Sequence, residues 1–102
     1  VIGTCRREHV RRNADARPGD ALILTKPLGI GVYSAAIKRE ALPAEGYAEF
    51  IAATTRLNRV GSELARDPEV HAITDVTGFG LLGHSLEIAR GAGLTVGIEM
   101  GR

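Results

Sequence analysis

The sequence predicts an α/β fold of the α+β kind, with helices packed on one face of a mixed sheet. Short apolar or alternating runs, typical of strands, occupy residues 21–25, 71–74 and 94–99. Longer segments between them repeat apolar residues at spacings of three and four, as amphipathic helices do. The predicted order is therefore strand, helix, helix, strand, helix, strand.

The composition is that of a globular chain with an aliphatic core. Of the 102 residues, 44% are hydrophobic and 25% are charged, while only 4% are aromatic. A formal net charge of +1 gives no electrostatic reason to expect nucleic acid or an anionic membrane as a partner. No apolar run approaches the ~20 residues that a membrane helix needs. Arginines stand where a signal peptide would need apolar residues, so a cytoplasmic location is expected: Arg6, Arg7, Arg11 and Arg12.

The first part of the chain, residues 1–17, is rich in charge and has little apolar periodicity. Its arginines are expected to form a solvated charged face. Cys5 is the only cysteine, so an internal disulfide is excluded. An incidental thiol is favoured over a nucleophile at this position, and no catalytic residue is assigned in the chain.

The first strand and helix follow a Pro18-Gly19 turn. Residues 21–25 are continuously apolar up to a threonine, which predicts a strand buried on both faces. A glycine-containing turn follows, and helical periodicity extends over residues 32–41. Lys26, at the end of the strand, could reach an anion, although a surface lysine is slightly favoured.

The longest predicted helix begins at Pro43 and ends before Asp67-Pro68, because proline is accepted in a first turn and breaks a helix interior. Asn58 is a mediocre helix former, and we expect it to cap or to contact a neighbouring loop. One apolar stripe is expected to face the core: Phe50, Ala53, Leu57, Val60 and Leu64.

The stretch of residues 74–84 joins the second predicted strand to the third predicted helix. Its glycine-rich turn can bring backbone N–H groups close to an anion at a helix N-terminus. Asp75 adds a hard oxygen ligand suited to a magnesium ion that bridges to phosphate. A strand–turn–helix whose glycines only permit close packing is an equal alternative from the chemistry alone.

The third helix is predicted to end at Gly91 and Gly93, before the alternating strand of residues 94–99. His84 lies at the margin of its polar face, one turn from Glu87, a spacing that permits an ion pair. As a metal ligand, His84 would need partners that the sequence does not place near it. A packed or ion-paired histidine is therefore favoured.

Two other interpretations compete with a magnesium site. Gly78, Gly80 and Gly83 satisfy the dinucleotide-binding pattern G-x-G-x-x-G, and Glu99 stands about where an acid would hold a ribose hydroxyl. However, Asp75 directly before the turn would repel a pyrophosphate unless a metal intervened. A non-catalytic structural module is the third interpretation.

Three blocks of the sequence resemble the selenophosphate synthetases (selenide, water dikinases). Residues 75–84 (DVTGFGLLGH) are similar to the signature of that family, residues 24–31 (LTKPLGIG) to a second block and residues 56–59 (RLNR) to a third. The blocks occur in the family's order with similar spacing, and the resemblance covers the whole chain. It favours this family over the dinucleotide-binding unit.

The resemblance implies part of a C-terminal domain like that of aminoimidazole ribonucleotide synthetase. Residues 1–17 would be the tail of a preceding domain and a linker, and residues 18–102 the first part of the C-terminal α/β domain. The family converts selenide, ATP and water into selenophosphate, AMP and phosphate, uses Mg²⁺, and forms homodimers.

Only Asp75 matches a family position assigned to magnesium. The resemblance implies that the other metal aspartates, the catalytic cysteine and lysine, and the Gly-rich loop that contacts ATP belong to segments outside this sequence. The chain alone is therefore expected to be inactive.

Overall fold

The computed structural model describes residues 3–99. These residues form four α-helices and two short 3-10 helices. The 3-10 helices, Arg7–His9 and Asn13–Asp15, precede the α-helices in the chain. The α-helices are α1 (Ile30–Lys38), α2 (Ala44–Thr55), α3 (Val60–Leu64) and α4 (Gly80–Ala92).

The predicted mixed sheet is wrong, because none of residues 3–99 is in a strand. A strand exists only when a neighbour pairs with its backbone. The backbone hydrogen bonds found outside helices between residues 3 and 99 are turns and caps, and none joins residues 21–25, 71–74 and 94–99 to one another. The apolar pattern therefore predicted buried strands, but these segments do not pair with one another. Ile23, in the first of them, is 81% exposed.

The longest predicted helix is also wrong, because it is divided into α2 and α3. The backbone of Arg56 is extended (φ −67°, ψ 115°) directly after α2, and Leu57, placed in the predicted apolar stripe, is 81% exposed. The last turn of α2 contains two threonines whose hydroxyls bond back to the preceding turn. Thr55 Oγ1 donates to the Ile51 carbonyl at 2.7 Å, a contact that weakens helices.

The described residues form two compact units. One consists of residues 22–58 and contains α1 and α2, which pack against each other. Gly46 is buried there, and a Cβ at Gly46 would lie 2.8 Å from the Leu42 side chain. Its lack of a side chain therefore makes room for Leu42.

The other unit combines residues before Leu22 with residues after Asn58. In it, α4 packs on the 3-10 helix Asn13–Asp15. A Cβ at Gly91 would lie 3.2 Å from the Ala14 nitrogen, so this glycine lets the two backbones come close. Ser85 and Ala89, one turn apart on α4, are buried.

Large apolar side chains are widely exposed in the described part of the chain. In the unit of residues 22–58 they include Leu22, Ile23, Leu24, Leu28 and Val32. No helix between residues 3 and 99 is long and apolar enough to cross a membrane.

Candidate functional site

A tight turn precedes α4 and starts the candidate site. The Gly80 N–H donates to the Thr77 carbonyl at 3.0 Å. Gly80 has a φ of 67°, in the left-handed region that a side chain disfavours. This glycine therefore lets the chain reverse from the Asp75 segment directly into the helix.

His84 ties the start of this turn to the body of α4. Its Nε2 accepts the Thr77 backbone N–H at 3.0 Å and lies 3.2 Å from Thr77 Oγ1. The Phe79 ring stands beside the imidazole, with centroids 5.6 Å apart and planes 34° apart. None of the ion pairs among residues 3–99 involves His84, so its contact is with Thr77 rather than with Glu87.

Gly83 completes the packing of the turn on the helix. A Cβ at this position would lie 2.5 Å from Phe79 Cβ, which is closer than real Cβ atoms approach. The space over Gly83 is thus taken by Phe79.

The dinucleotide interpretation needs a strand before its first glycine, and residues 71–77 are not in a strand.

Asp75 is exposed. No hydrogen bond or ion pair between residues 3 and 99 involves its carboxylate, and the N-cap position of α4 is Phe79, without a side-chain cap. Within the described range, no three His, Cys, Asp or Glu side chains gather to hold a metal. A single carboxylate nevertheless fits Mg²⁺, which often takes one or two protein carboxylates and fills its shell with water and phosphate oxygens.

Lys26 has a structural contact at the end of α2. Its Nζ donates to the Ala53 carbonyl at 3.4 Å and to the Arg56 carbonyl. A cation here satisfies carbonyls that lack a helical partner and interacts favourably with the helix dipole. Asn58 lies exposed between α2 and α3, and no side-chain hydrogen bond of Asn58 is found within residues 3–99.

The charged N-terminal segment makes contacts away from the turn. His71 Nδ1 lies 2.8 Å from Asp20 Oδ1. The pKa of Asp20 is lowered first by the backbone N–H of Arg17, which donates to it at 2.8 Å, and then by His71. The Arg12–Asp15 hydrogen bond, at 2.6 Å, likewise lowers the pKa of Asp15.

Cys5 is exposed on a cleft of about 710 Å³ that also borders Arg6, Ser62 and Arg66. No residue of the stretch 74–84 lines this cleft. The geometry therefore places Cys5 and the candidate turn in different surroundings, and its being an incidental thiol stays a prediction.

The Thr77–His84 contact was missed from the sequence. The spacing suggested a helical neighbour for His84, whereas its partner lies before the helix and is brought back by the turn at Gly80. No periodic pattern signals such a contact.

The chain belongs to the family described as "AIR synthase related protein, C-terminal domain", which it matches over residues 17–102. The resemblance carried by the three sequence blocks is confirmed by individual relatives. The chain is 61% identical, over 99% of its length, to a protein from Burkholderia pseudomallei named "Selenide, water dikinase". It is 58% identical, over 98% of its length, to a protein of the same name from Rhizobium meliloti. A third, from Burkholderia orbicola, is 62% identical over 97% of the chain.

The chain spans 28–29% of the length of these relatives. No solved structure matches it.

Proposed function

We propose that this chain is a segment of a selenide, water dikinase, which makes selenophosphate, AMP and phosphate from selenide, ATP and water. The observation that carries the proposal is the identity of about 60% with proteins of that name over nearly all of the chain. ATP is then a substrate of the intact enzyme, and Mg²⁺ is its metal cofactor.

Within this function, Asp75 is the magnesium ligand that the chain contributes, on the phosphate side of the nucleotide site. Two observations support this role. Its carboxylate is exposed and not committed to a cap or an ion pair among residues 3–99. It also lies shortly before α4, whose first N–H groups and dipole favour a nearby phosphate.

A bound magnesium ion would neutralise charge on the phosphates during phosphoryl transfer. The chain's own residues would hold the carboxylate in place and give the segment a fixed path into α4. Gly80 turns the backbone, and His84 and Phe79 tie the turn to the helix.

The organisation of the whole protein is part of the same proposal. Residues 1–17 would end a preceding domain and residues 18–102 would begin the C-terminal one; the family match from residue 17 onward supports this division. The resemblance supports a homodimer, and the arginines near the start of the sequence support a cytoplasmic location. The exposed apolar side chains support a surface that another part of the assembly covers.

The test is Asp75→Asn in the full-length protein that contains these residues, with Glu87→Gln on α4 as the matched control. Asparagine keeps the size and the capping ability of aspartate but lacks its charge. We expect selenide-dependent AMP formation at limiting Mg²⁺ to fall steeply. Mn²⁺ binding, measured by electron paramagnetic resonance, should weaken, while Tm should stay the same.

Normal turnover and normal Mn²⁺ binding in Asp75→Asn would contradict the metal role. That outcome would favour a purely structural module for this segment. A lower Tm together with lower activity would mean that Asp75 stabilises the folded protein instead of binding the metal.

A further inference from the structure

We propose that His84 is a positioning residue for the magnesium site, acting through Thr77 on the segment that carries Asp75. This inference rests on the proposed role of Asp75. His84 itself would not touch the metal, because its Nε2 is already occupied by the two donors of Thr77.

The contact fixes both the backbone and the side chain of one residue. The N–H of Thr77 and its Oγ1 both lie within hydrogen-bonding distance of the same imidazole nitrogen, at 3.0 and 3.2 Å. The contact therefore restrains Thr77 at both its backbone and its side chain. Asp75 is two residues away in the chain, so its backbone is restrained by the same anchor.

The imidazole is in turn carried by a helix. His84 lies inside α4, one turn after its start at Gly80, and the Phe79 ring stands beside it. Phe79 is seated against Gly83, where no side chain would fit without displacement. The histidine therefore connects a loop to a helix. Functional groups on helices are positioned more precisely than groups on loops.

Holding the segment before the metal arrives lowers the cost of binding. A mobile carboxylate loses conformational freedom when it takes up a metal ion, and a preorganised one has already lost it. A histidine at this position supplies an acceptor only while Nε2 is unprotonated, with the ring proton on Nδ1. The essential property of residue 84 is thus an acceptor at the place of Nε2.

Two substitutions separate the acceptor from the bulk of the side chain. His84→Leu fills part of the space but offers no acceptor, whereas His84→Gln can present its amide oxygen near the position of Nε2. Glu87→Gln, on the same helix and exposed, is the matched control. All are made in the full-length protein that contains these residues.

We expect His84→Leu to weaken Mn²⁺ binding about tenfold, at the lower end of the effects known for residues that position metal ligands. His84→Gln should retain most of the affinity, and the control should match the parent protein. In the parent, the ¹⁵N shifts of the His84 ring should show the tautomer protonated at Nδ1. A role in packing alone would lower the Tm of His84→Leu and leave Mn²⁺ affinity unchanged well below that temperature.

Asp75→Asn, measured in parallel, tells the two proposals apart. If it weakens Mn²⁺ binding while His84→Leu does not, the positioning role is overturned and the metal role of Asp75 stands. If Asp75→Asn has no effect, the metal role falls and the role of His84 falls with it. A ring protonated at Nε2 in the parent protein would also overturn the proposed contact.

Discussion

The Tyr33 hydroxyl donates a hydrogen bond of 2.6 Å to Oε2 of Glu49 and so joins α1 to α2. The carboxylate favours the neutral phenol, both by accepting a hydrogen bond from its hydroxyl and by its negative charge. The pKa of Tyr33 is raised as a result. The two helices therefore share a contact whose strength depends on pH in the alkaline range.

Glu49→Gln should lower the pKa of Tyr33 towards the ordinary value of about 10. The amide removes the charge that disfavours the phenolate, while a weaker acceptor remains. Absorbance titration of tyrosinate measures the change, in a Tyr47→Phe background so that only one tyrosine titrates.

The raised pKa of Tyr33 determines how its contribution to stability changes with pH. A group whose pKa is raised by folding stabilises the native state below its unfolded pKa, and this stabilisation is lost as pH rises through the folded pKa. The difference in stability between the parent and Glu49→Gln should therefore shrink above pH 10. An identical titration curve in both proteins would mean that the hydrogen bond does not form in solution.

Lys26→Met should destabilise the unit of residues 22–58. The ammonium donates hydrogen bonds to the Ala53 and Arg56 carbonyls at the C-terminus of α2. A cation at a helix C-terminus contributes about 0.3–1 kcal/mol to the free energy of unfolding. Urea denaturation measures the loss, with Lys26→Gln as the comparison that keeps a donor but no charge. If only Lys26→Met loses stability, the hydrogen bond matters and the charge does not. If both variants lose the same stability, the charge matters. If both equal the parent, Lys26 is a solvated lysine.

Gly83→Ala and Gly61→Ala should change stability in opposite directions, although both glycines lie in helices. A Cβ at Gly83 meets Phe79 Cβ, which is fixed to the backbone and cannot swing away, so a cost of about 1–3 kcal/mol is expected. A Cβ at Gly61 meets nothing within 4 Å, so alanine should stabilise α3 by up to about 1 kcal/mol. Thermal denaturation of the two variants measures both effects, and a gain for Gly83→Ala would show that the turn is not packed on the helix as described.

Local patterns predicted the helices better than anything else in this chain. The third predicted helix is α4, and Gly93, one of the two glycines expected to end it, follows its last residue in the left-handed conformation, with φ 68°. Gly91, the other, lies inside the helix. Such a stop depends only on the residues around it. At the end of α2, side-chain contacts compete with the helical hydrogen bonds: Thr55 bonds back to Ile51, and Lys26 bonds the Ala53 carbonyl.

The sheet could not be derived in the same way, because a strand requires a partner that periodicity does not identify. Leu94, Val96 and Ile98 are less exposed than the residues between them, as an alternating pattern predicts, yet no strand pairs with them among residues 3–99. Asp75 was predicted from its chemistry and from the family resemblance, and its metal role stays a prediction. His84 could not be assigned, because its partner depends on a turn that brings sequence-distant atoms together.

The division of the chain into two units has a consequence for the order of folding. The contacts between α1 and α2 join neighbours in the sequence, whereas α4 meets the 3-10 helix Asn13–Asp15 only after a long intervening stretch has closed into a loop. Loop closure costs more entropy as the loop lengthens, and chains with local contacts fold faster. If residues 22–58 collapse first, they shorten the loop that remains to be closed. An α1–α2 pair that formed first would thus speed the docking of α4.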